Sequence, residues 1–170
     1  MENKNTIIGV VAISVIFVLF IIVLIIAMTS DPTKKPNETD ELINTLKEQA
    51  ISGSVEAAQR LSELKSSQAC DAMIEIVEQC DNVEVKIACL QGLGQNKYFK
   101  SGPVLFKIME KDDNVAMRHN AYLAANSFCS DYFYNARAHI DVRKDKVLSY
   151  RREWEFRKDK LDAAGGEPGK

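Results

Sequence analysis

The residues able to do chemistry are few and scattered. Cysteines stand at 70, 80, 89 and 129 with no CxxC pair, which excludes a zinc ribbon or a thioredoxin-type redox site. Cys70 and Cys80 are ten positions apart, and on one helix about 15 Å would separate them, too far to bridge. Cys89 falls among small residues of a helix and reads as a buried structural thiol rather than a nucleophile. His119 and His139 are the only histidines, and neither sits in a His-Glu-x-x-His motif. Gly92-Leu93-Gly94 follows an expected helix rather than a strand, so no phosphate loop is expected there. The acidic run Glu110, Asp112 and Asp113 reads as a solvated turn before the next helix. This pattern points to no catalytic residues, no cofactor, no metal and no small-molecule substrate.

The remaining candidates are aromatic. Tyr122, Phe128, Tyr132, Phe133 and Tyr134 cluster near the end of a helical region. Filling a core is their ordinary role. The alternative is a partner-binding patch, because aromatic side chains are enriched among interface anchors.

The elements that must position these residues begin with an apolar block. Residues 6–28, TIIGVVAISVIFVLFIIVLIIAM, carry no charge. As a helix they would span about 35 Å, enough for a hydrocarbon core of about 30 Å. A cleaved signal peptide has a shorter apolar region, of about 7–15 residues, after a basic start. The block therefore predicts an uncleaved single-pass transmembrane helix, with the lipid bilayer as a partner. Lys34, Lys35 and Lys47 on its C-terminal side, against Lys4 on the other, lean toward a cytoplasmic soluble domain. The unpaired cysteines agree with a reducing compartment. The Asn37-Glu38-Thr39 sequon matters only on a luminal face. Residues 29–39 hold two prolines and mixed charge and read as a linker.

Beyond the linker the sequence repeats. A shift of 32 places Asp81-Asn82-Val83 on Asp113-Asn114-Val115, Ile76 on Ile108, Glu78 on Glu110 and Lys86 on Arg118. Ala57, Cys89 and Ala121 form a column of small residues, and Ala58, Leu90 and Tyr122 a second column that grows in size. Apolar residues three to four apart predict first helices at 54–64, 83–93 and 115–127. The second helices fall at 68–79 and 103–111, with a preceding helix at 40–50. Asn82 and Asn114 are expected as N-caps, Gly94 as a C-terminal stop, and Pro103 in a first turn.

These residues resemble the HEAT-like repeat of the phycobilisome-lyase type. The best unit, Val85-Lys86-Ile87-Ala88-Cys89-Leu90-Gln91-Gly92-Leu93-Gly94, matches the family pattern. The first unit departs from it at Gly53-Ser54, and the third at Ala125-Asn126. The resemblance covers residues 54–128 and implies an all-α fold, a short α-solenoid across residues 40–136. It implies no single activity, since such repeats serve many functions. Relatives of the repeat attach bilins to light-harvesting proteins, but this chain shows no distinctive acid, base or nucleophile set. Other HEAT-like proteins build di-iron sites from His-Glu dipeptides, which this chain lacks.

Residues 137–160 hold nine Lys and Arg against five Asp and Glu, whereas residues 31–136 hold 11 against 16. The stretch 137–162 is expected to form a charged capping helix. Ile140, Val147, Leu148, Trp154 and Phe156 are its expected contacts, with a Glu153–Arg157 pair on its surface. Residues 163–170 read as a disordered tail. A whole-chain net charge of −2 argues against nucleic acid. The expected function is a membrane-tethered protein-interaction module for an unknown protein partner. A structural subunit of a membrane complex is the alternative, and a bilin-lyase-like enzyme stands behind it.

Overall fold

Four of the described helices begin where a short polar side chain takes up free backbone N–H groups. Ser54 accepts from the Ala57 N–H, Ser66 from Ala69, Asn82 from Glu84 and Val85, and Asn114 from Ala116 and Met117. The computed structural model describes residues 38–163, the side chains of 161–163 apart. The expected membrane helix at 6–28 and most of the linker lie outside the described residues. So does the tail beyond 163.

The described chain forms α1 (Glu38–Ile51), α2 (Val55–Glu63), α3 (Ser67–Gln79), α4 (Val83–Gln95), a 3-10 turn (Phe99–Ser101), α5 (Gly102–Lys111), α6 (Val115–Asn126) and α7 (Ile140–Ala163). No strand occurs among the described residues, so this region is all-α. The helix α1 starts earlier than expected and takes in Glu38 and Thr39. Acidic residues Glu38, Asp40 and Glu41 fill its first turn, where the helix dipole favours negative charge. Similarly, α7 runs on through Ala163. None of the described helices is long and apolar enough to cross a membrane.

The helices lie in two rows. In one row, α2 packs on α4 and α4 on α6; in the other, α1 packs on α3 and α5 on α7. Each helix also packs on its sequence neighbour across the rows, from α1 through α4 and again between α5 and α6. The two turns 32 residues apart repeat in detail. Cys80 and Asp112 are both extended C-caps, donating to the Ile76 and Ile108 carbonyls. Asn82 and Asn114 follow with matching backbone angles, φ −75° and ψ 113° against φ −82° and ψ 118°. One continuous core includes Leu61, Met73, Ile76, Leu90, Leu93, Leu105, Phe106 and Met109, all closed to solvent.

Two expectations are corrected here. Gly94 does not stop its helix; α4 continues to Gln95, and the left-handed residue beyond it is Lys97, at φ 50°. Gly94 is small for another reason. A Cβ there would lie 3.0 Å from the Ala124 Cα, in the backbone of α6. Gly92 is similarly pressed on the α2 side, where a Cβ would lie 2.6 Å from the Ser62 Cβ. On α7, Leu148 and Phe156 are exposed rather than packed. The buried residues are Val147 and Tyr150, with Trp154 half-buried behind them.

This gives opposite outcomes at neighbouring positions. Alanine is the better helix former by about 1 kcal/mol, yet Gly94→Ala should destabilise the fold by about 1–3 kcal/mol, because α6 must move away. Lys97→Gly should stabilise it by up to about 1 kcal/mol, since glycine occupies the left-handed region without a Cβ penalty. Urea denaturation followed by circular dichroism measures both.

Candidate functional site

The five aromatic candidates are fixed by the segment 127–139, which closes the α6 end of the stack. Its anchor is Arg118 on α6, only 5% exposed. The Arg118 Nε donates to the Ala136 carbonyl at 2.8 Å, and one terminal nitrogen donates to the Asp112 carbonyl at 2.6 Å. A buried guanidinium needs such acceptors, because an unpaired one is costly. Lys86, at the same place in the preceding unit, is only half-buried.

A second anchor is Glu153 on α7. Its carboxylate accepts from the Ser130 N–H at 2.9 Å, the Ser130 hydroxyl at 3.2 Å and the Tyr132 hydroxyl at 2.8 Å. It also pairs with Arg157, as the sequence suggests. Burial works against its charge, but the Ser130 N–H, the Tyr132 hydroxyl and Arg157 outweigh it and hold the carboxyl below its usual range. Tyr150 completes the closure. Its hydroxyl donates to Asn126 at 2.6 Å and accepts from the Tyr132 N–H at 3.2 Å. Trp154 stacks on Phe99, 5.2 Å between ring centres, and donates to the Phe99 carbonyl at 2.8 Å.

Held this way, the five aromatics do not share one patch. Tyr134 is buried and its hydroxyl donates to the Met109 carbonyl. Phe128 is half-buried and packs edge-on to Phe99, 5.6 Å between centres. Tyr132 is also half-buried and meets Tyr150 edge-on at 5.0 Å. Tyr122 is half-buried beside Tyr134, their ring centres 5.4 Å apart. Only Phe133 faces outward, 84% exposed and in the left-handed region at φ 53°. Asp131 links the last two, accepting from the Tyr122 hydroxyl at 3.2 Å and the Phe133 N–H at 2.8 Å.

Between α6 and residues 134–137 lies an open cleft of about 640 Å³. Val115, His119, Tyr122, Tyr134, Ala136 and Arg137 line it. Sequence reasoning named the aromatics but passed over Val115, Leu123 and Arg137. The 32-residue register carried no signal for the first two, since Val83 and Gln91, at the same positions of α4, are exposed as well.

Nucleophilic chemistry finds little here. All four cysteines are free and buried. Burial pushes the Cys70 thiol up to about 11, and the Cys89 and Cys129 thiols up to about 12. Thiols in that range are protonated at neutral pH and are poor nucleophiles. The described residues contain no group of three or more His, Cys, Asp or Glu able to hold a metal ion. His139 lies 3.3 Å from Asp141 on the surface, apart from the cleft. The acidic run is not wholly solvated, for Glu110 pairs with Arg151 at 3.3 Å and Asp112 accepts from the Asn114 N–H. Compared with known proteins, the chain matches no family model, no curated protein and no solved structure.

The Glu153 anchor makes the closure acid-sensitive. Its folded-state carboxyl is the more acidic one, so its stabilisation is present above the ordinary carboxylate range and fades as pH falls through the lowered value. Glu153→Gln should therefore be less stable than the parent at pH 7, with the difference shrinking toward pH 3. Urea midpoints measured across that range test it, and a difference independent of pH would remove the charge from the explanation.

Proposed function

We propose that this chain is a membrane-anchored HEAT-like repeat protein that works as a protein–protein interaction module or scaffold at the bilayer, with no catalysis of its own. Residues 6–28 form its single-pass anchor and residues 29–37 its spacer. The helical domain lies on the cytoplasmic side. The observation that carries the repeat reading is the doubled turn, Cys80–Asn82 and Asp112–Asn114, with the same cap geometry 32 residues apart. Two-row packing, in which each helix meets chiefly its neighbours, agrees with a solenoid.

The anchor rests on the uncharged run of residues 6–28. The cytoplasmic side rests on Lys34, Lys35 and Lys47 and on four unpaired thiols. A binding role fits a domain whose thiols are buried in the core while several large apolar side chains, Phe133 and Phe156 foremost, reach its surface.

Two measurements test this reading. After alkaline carbonate washing the full chain should stay in the membrane pellet, and a chain lacking residues 6–28 should be released. A proximity-labelling enzyme fused at the C-terminus should mark cytoplasmic and membrane-surface neighbours. Recovery of the intact chain in the aqueous fraction overturns the anchor, and a luminal set of neighbours overturns the orientation.

A further inference from the structure

We propose that the cleft between α6 and residues 134–137 is a binding site for a small organic anion, a flat apolar body of one or two rings that carries a carboxylate. The site stands apart from the anchor and from the interaction-module reading.

The cleft exists because the last two helices of the row are backed by different things. Behind α4 lies a whole helix, α6, and Leu90 is closed to solvent and Ile87 half-buried. Behind α6 lies the irregular segment 134–137, which already takes the place that another helix of a stack would fill. A chain without helical turns fills less space than a helix about 10 Å across, and about 640 Å³ is left beside it. That volume falls within the roughly 300–1,000 Å³ of small-molecule sites.

The lining changes as well. Where α4 carries Ile87 and Leu90, α6 carries His119 and Tyr122, and both line the cleft. The rings run together. His119 lies 6.0 Å from Tyr122, and Tyr122 lies 5.4 Å from Tyr134, centre to centre. Both tyrosine hydroxyls are already engaged, Tyr122 with Asp131 and Tyr134 with the Met109 carbonyl. What the tyrosines offer the cleft is therefore ring surface, which a flat apolar body can stack on or meet edge-on.

Charge sets the polar end of the ligand. No Asp or Glu lines the cleft, and Ala116 stands where α4 has Glu84. Asp112, Asp113 and Asp131 lie outside the lining; Asp112 accepts from the Asn114 N–H and Asp131 from the Phe133 N–H. Arg137 is on the lining, and its guanidinium makes no ion pair or hydrogen bond among the described residues. Its backbone is fixed, for the Arg137 N–H donates to the Asn135 side chain at 2.9 Å and the Ala136 carbonyl is tied to Arg118. A guanidinium with a free fork takes a carboxylate through two parallel hydrogen bonds. The first turn of α6, with Val115 and Ala116 on the lining, adds the positive end of its dipole.

The probe is 4-azidobenzoate, photoactivated on the full chain in detergent micelles and mapped by peptide mass spectrometry. Label is expected within residues 115–122 and 134–137, and 2-naphthoate should displace it saturably. The uncharged 4-azidobenzamide should label these peptides about tenfold less, the effect of losing one charge-assisted hydrogen-bonded pair. Arg137→Gln should weaken displacement by a similar factor. Ala116→Trp should abolish it by filling the cleft from an exposed position, while Arg152→Gln, exposed on α7, leaves it unchanged. Urea midpoints of the variants separate loss of the site from loss of the fold. Label spread over the chain or confined to residues 6–28 overturns the proposal. Label that the amide matches, or that either cleft variant leaves unchanged, overturns it too. Capture of a second copy or another polypeptide by a photocrosslinking side chain at position 116 assigns the cleft to a macromolecule and overturns it equally. Membrane retention is read on residues 6–28, so failure here leaves the carbonate result untouched.

Discussion

Three helices packed in one row need small side chains where their backbones approach, and the rest of this domain follows from that need. Gly92 meets Ser62 on one side of α4, and Gly94 meets Ala124 on the other. A larger residue at either place would wedge the row open. The small-residue column Ala57, Cys89 and Ala121 is buried throughout. Bulk is placed instead on Leu61, Leu90 and Leu93 of this row and on Met73, Ile76, Leu105, Phe106 and Met109 of the other. The 32-residue spacing is the trace of this arrangement in the sequence, because each turn must return the chain to the same height in the row.

A row that stops must be closed, and this chain does so with charged side chains held by polar partners. Arg118 is buried without a carboxylate and is satisfied by two backbone carbonyls. Glu153 gathers donors from Ser130, Tyr132 and Arg157. Both residues fix the irregular segment 127–139, which has no helical hydrogen-bond ladder of its own along most of its length. The Arg143 Nε is the single buried side-chain polar atom without a partner among the described residues, and it lies in this same junction. Its other guanidinium nitrogens donate to the Ala138 and Glu110 carbonyls. Buried Cys129, Tyr134 and Ala136 and these polar anchors together hold the junction, and one of the anchors, Glu153, carries a pH dependence.

Local features were legible in the sequence. Asn82 and Asn114 could be read as caps because a cap involves only the next two or three residues. Helix positions followed from apolar spacing for the same reason. Gly94 was misread because a glycine at the end of an apolar run looks alike whether it ends a helix or admits a neighbour. Only the Ala124 backbone, thirty positions on, distinguishes the two. Along α7, Val147 and Trp154 could be named as contacts, but Tyr150, which completes their three-then-four spacing, was hidden among the surrounding charges, and Leu148 and Phe156 were named beside them. The aromatics at 122–134 could be named but not oriented. Their directions depend on Arg118 and Glu153, and the segment that carries four of them has no period from which a face can be read.

The two ends of the row also explain how a self-complementary stack stays finite. An open rear face and a matching front face on one chain form a head-to-tail contact, and such contacts propagate into filaments. Glu56 and Arg60, both exposed, remove the match from the front, and at the rear the segment 127–139 lays Tyr134 against Tyr122 and ties Ala136 to Arg118. The stack is finite because its two ends are finished differently, the front by exposed charge and the rear by an irregular segment held on a buried guanidinium.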